Sequence, residues 1–334
     1  MSEKRTALVF GISGQDGAYL AHLLLAKGYE VHGTSRDADG SGFSNLTRLG
    51  LKGRVTVHSA ALNDFRSVLS VLRKVAPDEI YNLAGQSSVA LSFEQPVETF
   101  ESISVGSLTI LDCLRFDGRP TRFLNAVSTE CFGFTPTAAD ETTPFTPVSP
   151  YATAKAAAYW TTANYRNAYG MFACSAILAN HESPLRPLRF VCRKIVSAAV
   201  RIADGSGERL KLGNVAIERD WGWAPEYVLA LWRMLQLDQP EDFVIATGAT
   251  HSLQDFVATV FDALGLDWTA HVDTDPAMFR PLESPRTLLN PAKAERLLGW
   301  RARFRMHDVA RLLIAADRDG GFGPMPWVDD PSGS

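Results

Sequence analysis

Tyr151 and Lys155 lie four residues apart in the run SPYATAKAAAYW, and in a helix that spacing puts a phenol and an ammonium on one face. An ammonium there stabilises a phenolate, so the tyrosine could accept a proton from a hydroxyl as hydride leaves the same carbon. Taken alone the pair reads as well as ordinary helix-surface residues; Ser149 and Pro150, immediately before it, suit a helix start. Ser128, Thr129 and Glu130 follow the apolar run Phe123 to Val127, which puts them at the carboxyl end of a strand, where open α/β sheets bind ligands. Glu130 could remove a proton next to a transient ketone, and Ser128 could hydrogen-bond a hydroxyl or a developing oxyanion. Capping of the next turn by Thr129 and Glu130 is the other reading of the same residues.

These side chains need a scaffold, and the chain supplies one from its first residues. Thr6 to Phe10 is a β-branched and apolar run, followed by Gly11, Gly14 and Gly17 and then the amphipathic stretch Ala18 to Lys27. The order is strand, tight turn, helix, and the missing Cβ atoms would let a pyrophosphate reach backbone N–H groups at the helix start. Buried strands are predicted at Glu30 to Gly33, Val55 to Val57, Glu79 to Leu83, Arg122 to Val127 and Ala173 to Leu178, with helical stretches between most of them. That alternation predicts an α/β fold, a Rossmann-type doubly wound parallel sheet. After residue 179 come proline-rich turns and a basic helix around Arg193 to Ile202, while the helix Pro225 to Leu237 and strand Phe243 to Thr247 return to the sheet. The division expected is a Rossmann domain over 1–179 plus about 220–248, and a smaller, interleaved α/β substrate lobe over 180–219 and 249–320. The tail, 321–334, is expected to be loosely ordered.

Arg36, after the second strand, sits where such folds read the adenosine ribose, and a cation suits a 2′-phosphate. A solvated surface arginine is the alternative, with Asp37 and Asp39 beside it repelling phosphate.

Gross composition narrows the partners. The chain has 334 residues, 46% of them hydrophobic, and a formal net charge of −4, so neither nucleic acid nor an anionic membrane is attracted by bulk charge. Cys113, Cys131, Cys174 and Cys192 are widely spaced and are expected to be reduced core thiols, with no metal site. Without an apolar leader or a long apolar span, a cytoplasmic location is expected.

The segments GISGQDGAYLAHLLLAKGYEVHG (11–33), YNLAGQSSV (81–89), SPYATAKAAAYWTTANYRNAYG (149–170), NHESPLR (180–186), LGNVAIERDWGWAPEYV (212–228) and PEDFVIATG (240–248) resemble GDP-mannose 4,6-dehydratases of the extended short-chain dehydrogenase/reductase superfamily. The likeness runs over nearly the whole chain. It implies a lyase that turns GDP-mannose into GDP-4-keto-6-deoxymannose and water, with internal hydride transfer through bound NADP, NAD being the alternative. Tyr151 would be the base for the C4 hydroxyl, Lys155 its partner, Glu130 the acid/base at C5 and C6, and Ser128 the hydroxyl beside them. Gly11, Gly14, Gln15, Asp16, Gly17, Arg36, Leu83 and Ala84, with Tyr151 and Lys155, would hold the cofactor. Ser87, Asn180, Lys194, Arg219, Arg280 and Glu283 would hold the GDP-sugar, and the protein would form a homodimer or homotetramer. The sequence departs from the family pattern where Ser128 and Thr129 exchange the usual threonine and serine, and where Ala60 and Ala61 replace Gly-Asp. Keto-sugar reductases or epimerases, a dehydratase of another GDP-sugar such as a GDP-heptose, and a non-catalytic NAD(P)-binding protein remain alternatives.

Overall fold

The computed structural model describes residues 4–329. Its strands are β1 (Thr6–Phe10), β2 (Glu30–Ser35), β3 (Thr56–Ser59), β4 (Glu79–Asn82), β5 (Arg122–Ser128), β6 (Ala173–Leu178), β7 (Asn180–Glu182), β8 (Leu210–Leu212), β9 (Glu218–Trp223), β10 (Phe243–Ile245), β11 (Thr250–Ser252) and β12 (Val272–Thr274). The helices of ten residues or more are α1 (Gln15–Ala26), α2 (Phe65–Val75), α3 (Gly106–Asp117), α4 (Pro150–Tyr169), α5 (Val191–Ala203), α6 (Ala224–Met234), α7 (Leu253–Asp262) and α8 (Met306–Asp319).

Seven strands form one parallel sheet in the order β10-β6-β5-β4-β1-β2-β3. This is the doubly wound Rossmann architecture. The central strands are buried on both faces, β6 throughout its length, which is why they read as continuous apolar runs rather than alternating ones. Strand order reverses between β1 and β4, so a crevice opens beyond their carboxyl ends. The chain leaves the sheet after β6 and comes back only with α6 and β10, which pairs with β6.

The excursion has its own core. Ile195, Val196, Trp221, Trp223, Phe256, Val260, Met306 and Leu313 pack together, around a three-stranded sheet β11-β9-β7 and the pair β12-β8.

The expectation of a loosely ordered tail is corrected as far as residue 329; residues from 330 on lie outside the described ones. Phe322, Met325 and Trp327 pack on the main core. Trp223 donates its indole N–H to the Pro324 carbonyl, and Trp327 donates to His22 Nδ1, both at 2.9 Å. The prolines suggested looseness, but three large apolar side chains within six residues bury enough surface to anchor the segment. Among the described residues no helix is long and apolar enough to cross a membrane.

Candidate active site

The turn after β1 is shaped by what a Cβ would strike. Gly11 has φ +83°, and a Cβ there would lie 2.9 Å from the Leu83 carbonyl and the Ala84 nitrogen, in the continuation of β4. A Cβ on Gly17 would drive into the Gly11 carbonyl and come within 2.8 Å of the Ile12 Cα. Gly14 caps α1 and donates its N–H to the Gly11 carbonyl at 3.0 Å. A compact turn with free helix-start N–H groups, bounded by Leu83 and Ala84, can cradle a pyrophosphate. The side chains of Gln15 and Asp16 reach β7 and the residue just after it. Asp16 Oδ2 lies 2.9 Å from His181 Nε2, and Gln15 accepts from the Ser183 hydroxyl at 2.7 Å.

β5 delivers the next group. Ser128 is its last residue, and its hydroxyl accepts from the Glu130 N–H at 3.2 Å, capping the short turn Thr129–Phe132. The cap therefore comes from Ser128, not from Thr129 or Glu130. Glu130 lies 3.4 Å from the Arg219 guanidinium, and Arg219 is also 3.6 Å from Glu283, which pairs with Arg280 at 2.7 Å. Arg219 is only 4% exposed, and among the described residues its Nη2 has no hydrogen-bond partner. A buried guanidinium with spare donors can take an anion.

α4 starts at Pro150, capped by the Ser149 hydroxyl accepting from the Ala152 N–H at 3.1 Å. It presents Tyr151 and Lys155 inward, and both are buried. Lys155 Nζ does not lie on the phenol. It donates to the Ala126 carbonyl at 2.7 Å and stands 6.0 Å from the Tyr151 ring centre. Burial lowers this amine to about 8, against a smaller upward pull from Cys131 and Asp16. Burial also pushes the Tyr151 phenol well up, and the group that draws it back most is the Ser128 hydroxyl. The sequence expectation that the ammonium lowers this phenol is therefore not met in this arrangement, because desolvation outweighs a charge turned towards a backbone carbonyl. The charge of Glu130 also acts on Tyr151, so the carboxylate and the serine both bear on the phenol.

The remaining expected residues scatter. Asn180 opens β7, paired with Trp221 of β9. Lys194 donates to the Lys211 carbonyl at 2.7 Å, and Ser87 is exposed near the end of β4. Arg36 has a side chain 90% exposed, 4.0 Å from Glu98, and the carboxylate of Asp37 is turned onto the N–H groups of Asp39 and Gly40. A cleft of about 550 Å³ elsewhere, lined by Glu226, Arg233, Trp300 and Arg303 among others, includes none of the expected residues. Sequence reasoning assigned no role to His181; the only signal was its place beside Asn180 in NHES.

The model of the family described as GDP-mannose 4,6 dehydratase matches residues 8–313. The chain belongs to the GDP-mannose 4,6-dehydratase family. It is 42% identical to GDP-mannose 4,6 dehydratase 1 of Arabidopsis thaliana, over 94% of this chain and 90% of that protein. It is 40% identical to GDP-mannose 4,6-dehydratase of Vibrio cholerae, over 94% of each. Among solved structures it is similar to a Thermus thermophilus UDP-glucose 4-epimerase in complex with NAD, with TM-score 0.82, 27% identity, and coverage of 95% of this chain and 100% of that one. Against the family pattern, the exchanged Ser128 and Thr129 keep a hydroxyl at the end of β5. Ala60, at the end of β3, donates its N–H to the Ser35 carbonyl at 2.8 Å and offers no side-chain polar group.

Proposed function

We infer that this chain is a GDP-mannose 4,6-dehydratase: it converts GDP-mannose to GDP-4-keto-6-deoxymannose and water, with a tightly held NADP. The observation that carries the reading is the convergence of Ser128, Glu130, Tyr151 and Lys155 at the end of β5 and the start of α4, in a chain of this family. The residues present fit a dinucleotide: the space at Gly11 and Gly17 admits no side chain, which suits a turn that a pyrophosphate must approach closely. When bound, the nicotinamide would take hydride from C4 and return it to C6.

The chain's own residues account for the protons. Tyr151 serves the C4 hydroxyl, and to accept its proton it needs Lys155 to turn from the Ala126 carbonyl towards the phenol oxygen. Ser128 can donate its hydroxyl hydrogen to the C4 oxygen, because its lone pair already holds the Glu130 N–H. Glu130 removes the proton at C5 and delivers one to the departing C6 hydroxyl, which leaves as water, and the proton that Tyr151 took from the C4 hydroxyl goes to C5 as hydride returns to C6. Arg219 and Arg280 are the diphosphate ligands, with Glu283, Asn180, Lys194 and Ser87 completing the nucleotide-sugar contacts. Gly11, Gly14, Gln15, Asp16, Gly17, Leu83 and Ala84 form the cofactor cradle, Gln15 and Asp16 through their backbone. Arg36, exposed at the rim, supports NADP over NAD. Val97, Val105, Leu108 and Trp160 are exposed on or beside α3 and α4 and support a homodimer through these helices, to be checked by light scattering.

Purified protein incubated with GDP-mannose and no added reductant should yield a 4-keto product that absorbs in alkali, with no net change in NADPH. Consumption of NADPH with a keto-sugar would instead mark a reductase. Tyr151→Phe should lose most turnover while GDP binding is kept; near-normal activity would refute the tyrosine's role.

A further inference from the structure

Asp16 and His181 are 165 residues apart yet lie in contact, Oδ2 to Nε2, at 2.9 Å. The other ring nitrogen, Nδ1, is 2.7 Å from the Ala179 carbonyl, which only accepts, so Nδ1 carries a hydrogen. The carboxylate at Nε2 also only accepts. Both nitrogens then donate, and the ring is an imidazolium. The electrostatics agree with this. Burial alone would lower His181, but the charge and hydrogen bond of Asp16 raise it above its ordinary value; burial alone would raise Asp16, but His181 and Gln15 bring it below.

Gln15 doubles the connection. Its amide donates to Asp16 Oδ1 at 2.9 Å and to the His181 carbonyl at 3.3 Å, while its oxygen accepts from the Ser183 hydroxyl. The first turn of α1 is thus fastened to β7 and the residues just after it. The same turn carries the N–H groups offered to a pyrophosphate, and a bare Asp16 carboxylate there would repel that anion.

We propose that Asp16 and His181 are a positioning pair: they keep the phosphate-binding turn electrically neutral and docked to the segment bearing Asn180, and so set the affinity for the dinucleotide. The inference rests on the cofactor reading above. Neither residue needs to touch a reacting atom. The groups facing His181 are Asp16 on α1, the Tyr227 ring on α6 stacked at 4.5 Å, and Glu182 and Arg186 on its own segment, with Lys155 of α4 acting on Asp16. Because His181 is held above its ordinary value, the cation is present below that raised pKa and is lost as pH climbs through it. Deprotonation leaves Asp16 uncompensated, so dinucleotide affinity falls with rising pH.

The experiment measures dissociation constants for NADP⁺ and NADPH by titration of cofactor-stripped protein, in the wild type, Asp16→Asn, His181→Gln and the double variant. His181→Gln should bind roughly tenfold or more weakly, the effect of exposing one buried charge. Asp16→Asn carries no bare carboxylate and should bind more tightly than His181→Gln, and the double variant should recover most of the loss. Recovery on removing a second native group is not the behaviour of a merely structural contact. A double variant as weak as or weaker than His181→Gln overturns the proposal, as do single variants that both match the wild type. Wild-type protein that binds neither dinucleotide overturns the cofactor reading and this inference with it; wild-type binding with turnover and no effect in any variant overturns the inference alone.

Discussion

Lys155→Met separates what the buried amine does for chemistry from what it does to the fold. The side chain is 8% exposed, and burial takes its pKa from an ordinary 10.5 to about 8. At about 1.4 kcal/mol for each tenfold change, the protonated amine costs the folded state about 3 kcal/mol at neutral pH. Methionine has a similar length and no charge, so that cost disappears. Against it stands the hydrogen bond to the Ala126 carbonyl, whose loss leaves a buried acceptor unpaired at about 2 kcal/mol. The balance is a variant about 1 kcal/mol more stable than the wild type at pH 7, with turnover down at least about a hundredfold. The sign with pH follows from proton counting. Between about 8 and 10.5 the unfolded lysine holds its proton and the folded one has lost it, so stability from this group rises across that window. Urea unfolding of both proteins at pH 7 and near pH 10 reads the two effects together. A variant clearly less stable than the wild type at pH 7, or one keeping the wild-type gain at high pH, would refute the account.

Glu130→Gln should keep C4 oxidation and lose dehydration, so cofactor becomes reduced on adding GDP-mannose without keto-deoxy product; product formation near the wild-type rate removes Glu130 from the mechanism. Gly17→Ala places a Cβ against the backbone of Gly11 and Ile12, and should abolish dinucleotide binding in titration, an unchanged dissociation constant counting against the cradle. Asp242 accepts from Arg166 at 2.7 and 2.9 Å and from the Ser175 N–H at 2.7 Å. Asp242→Asn leaves a largely buried guanidinium uncompensated, at about 3–5 kcal/mol, and should lower Tm by several degrees with the active site intact; an unchanged Tm would contradict that.

The large sheet was legible because its strands are apolar runs closed by turn residues. β1 and β6 fall at the predicted bounds, and the glycines after β1 specify the turn through the backbone alone. The small sheet was not legible: β7 and β11 have three residues each, and β9 carries Glu218, Arg219 and Asp220 among its tryptophans, a pattern without strand periodicity. Within the site, the YxxxK spacing gave the helix face but not where the amine would point. The lysine's carbonyl partner lies on β5, at a separation no local pattern encodes. The Asp16–His181 contact was hidden for the same reason. The docked tail was misread because proline outweighed Phe322, Met325 and Trp327 in the reading of composition.

The return of the chain to β10 bears on how this protein can be made and cut. A fragment ending at residue 179 would expose the free edge of β6 and uncover the flank of α1 that α6 protects. Expressing the nucleotide-binding half alone should therefore yield aggregates. During synthesis the first half must wait, unfinished, until more than sixty further residues have emerged.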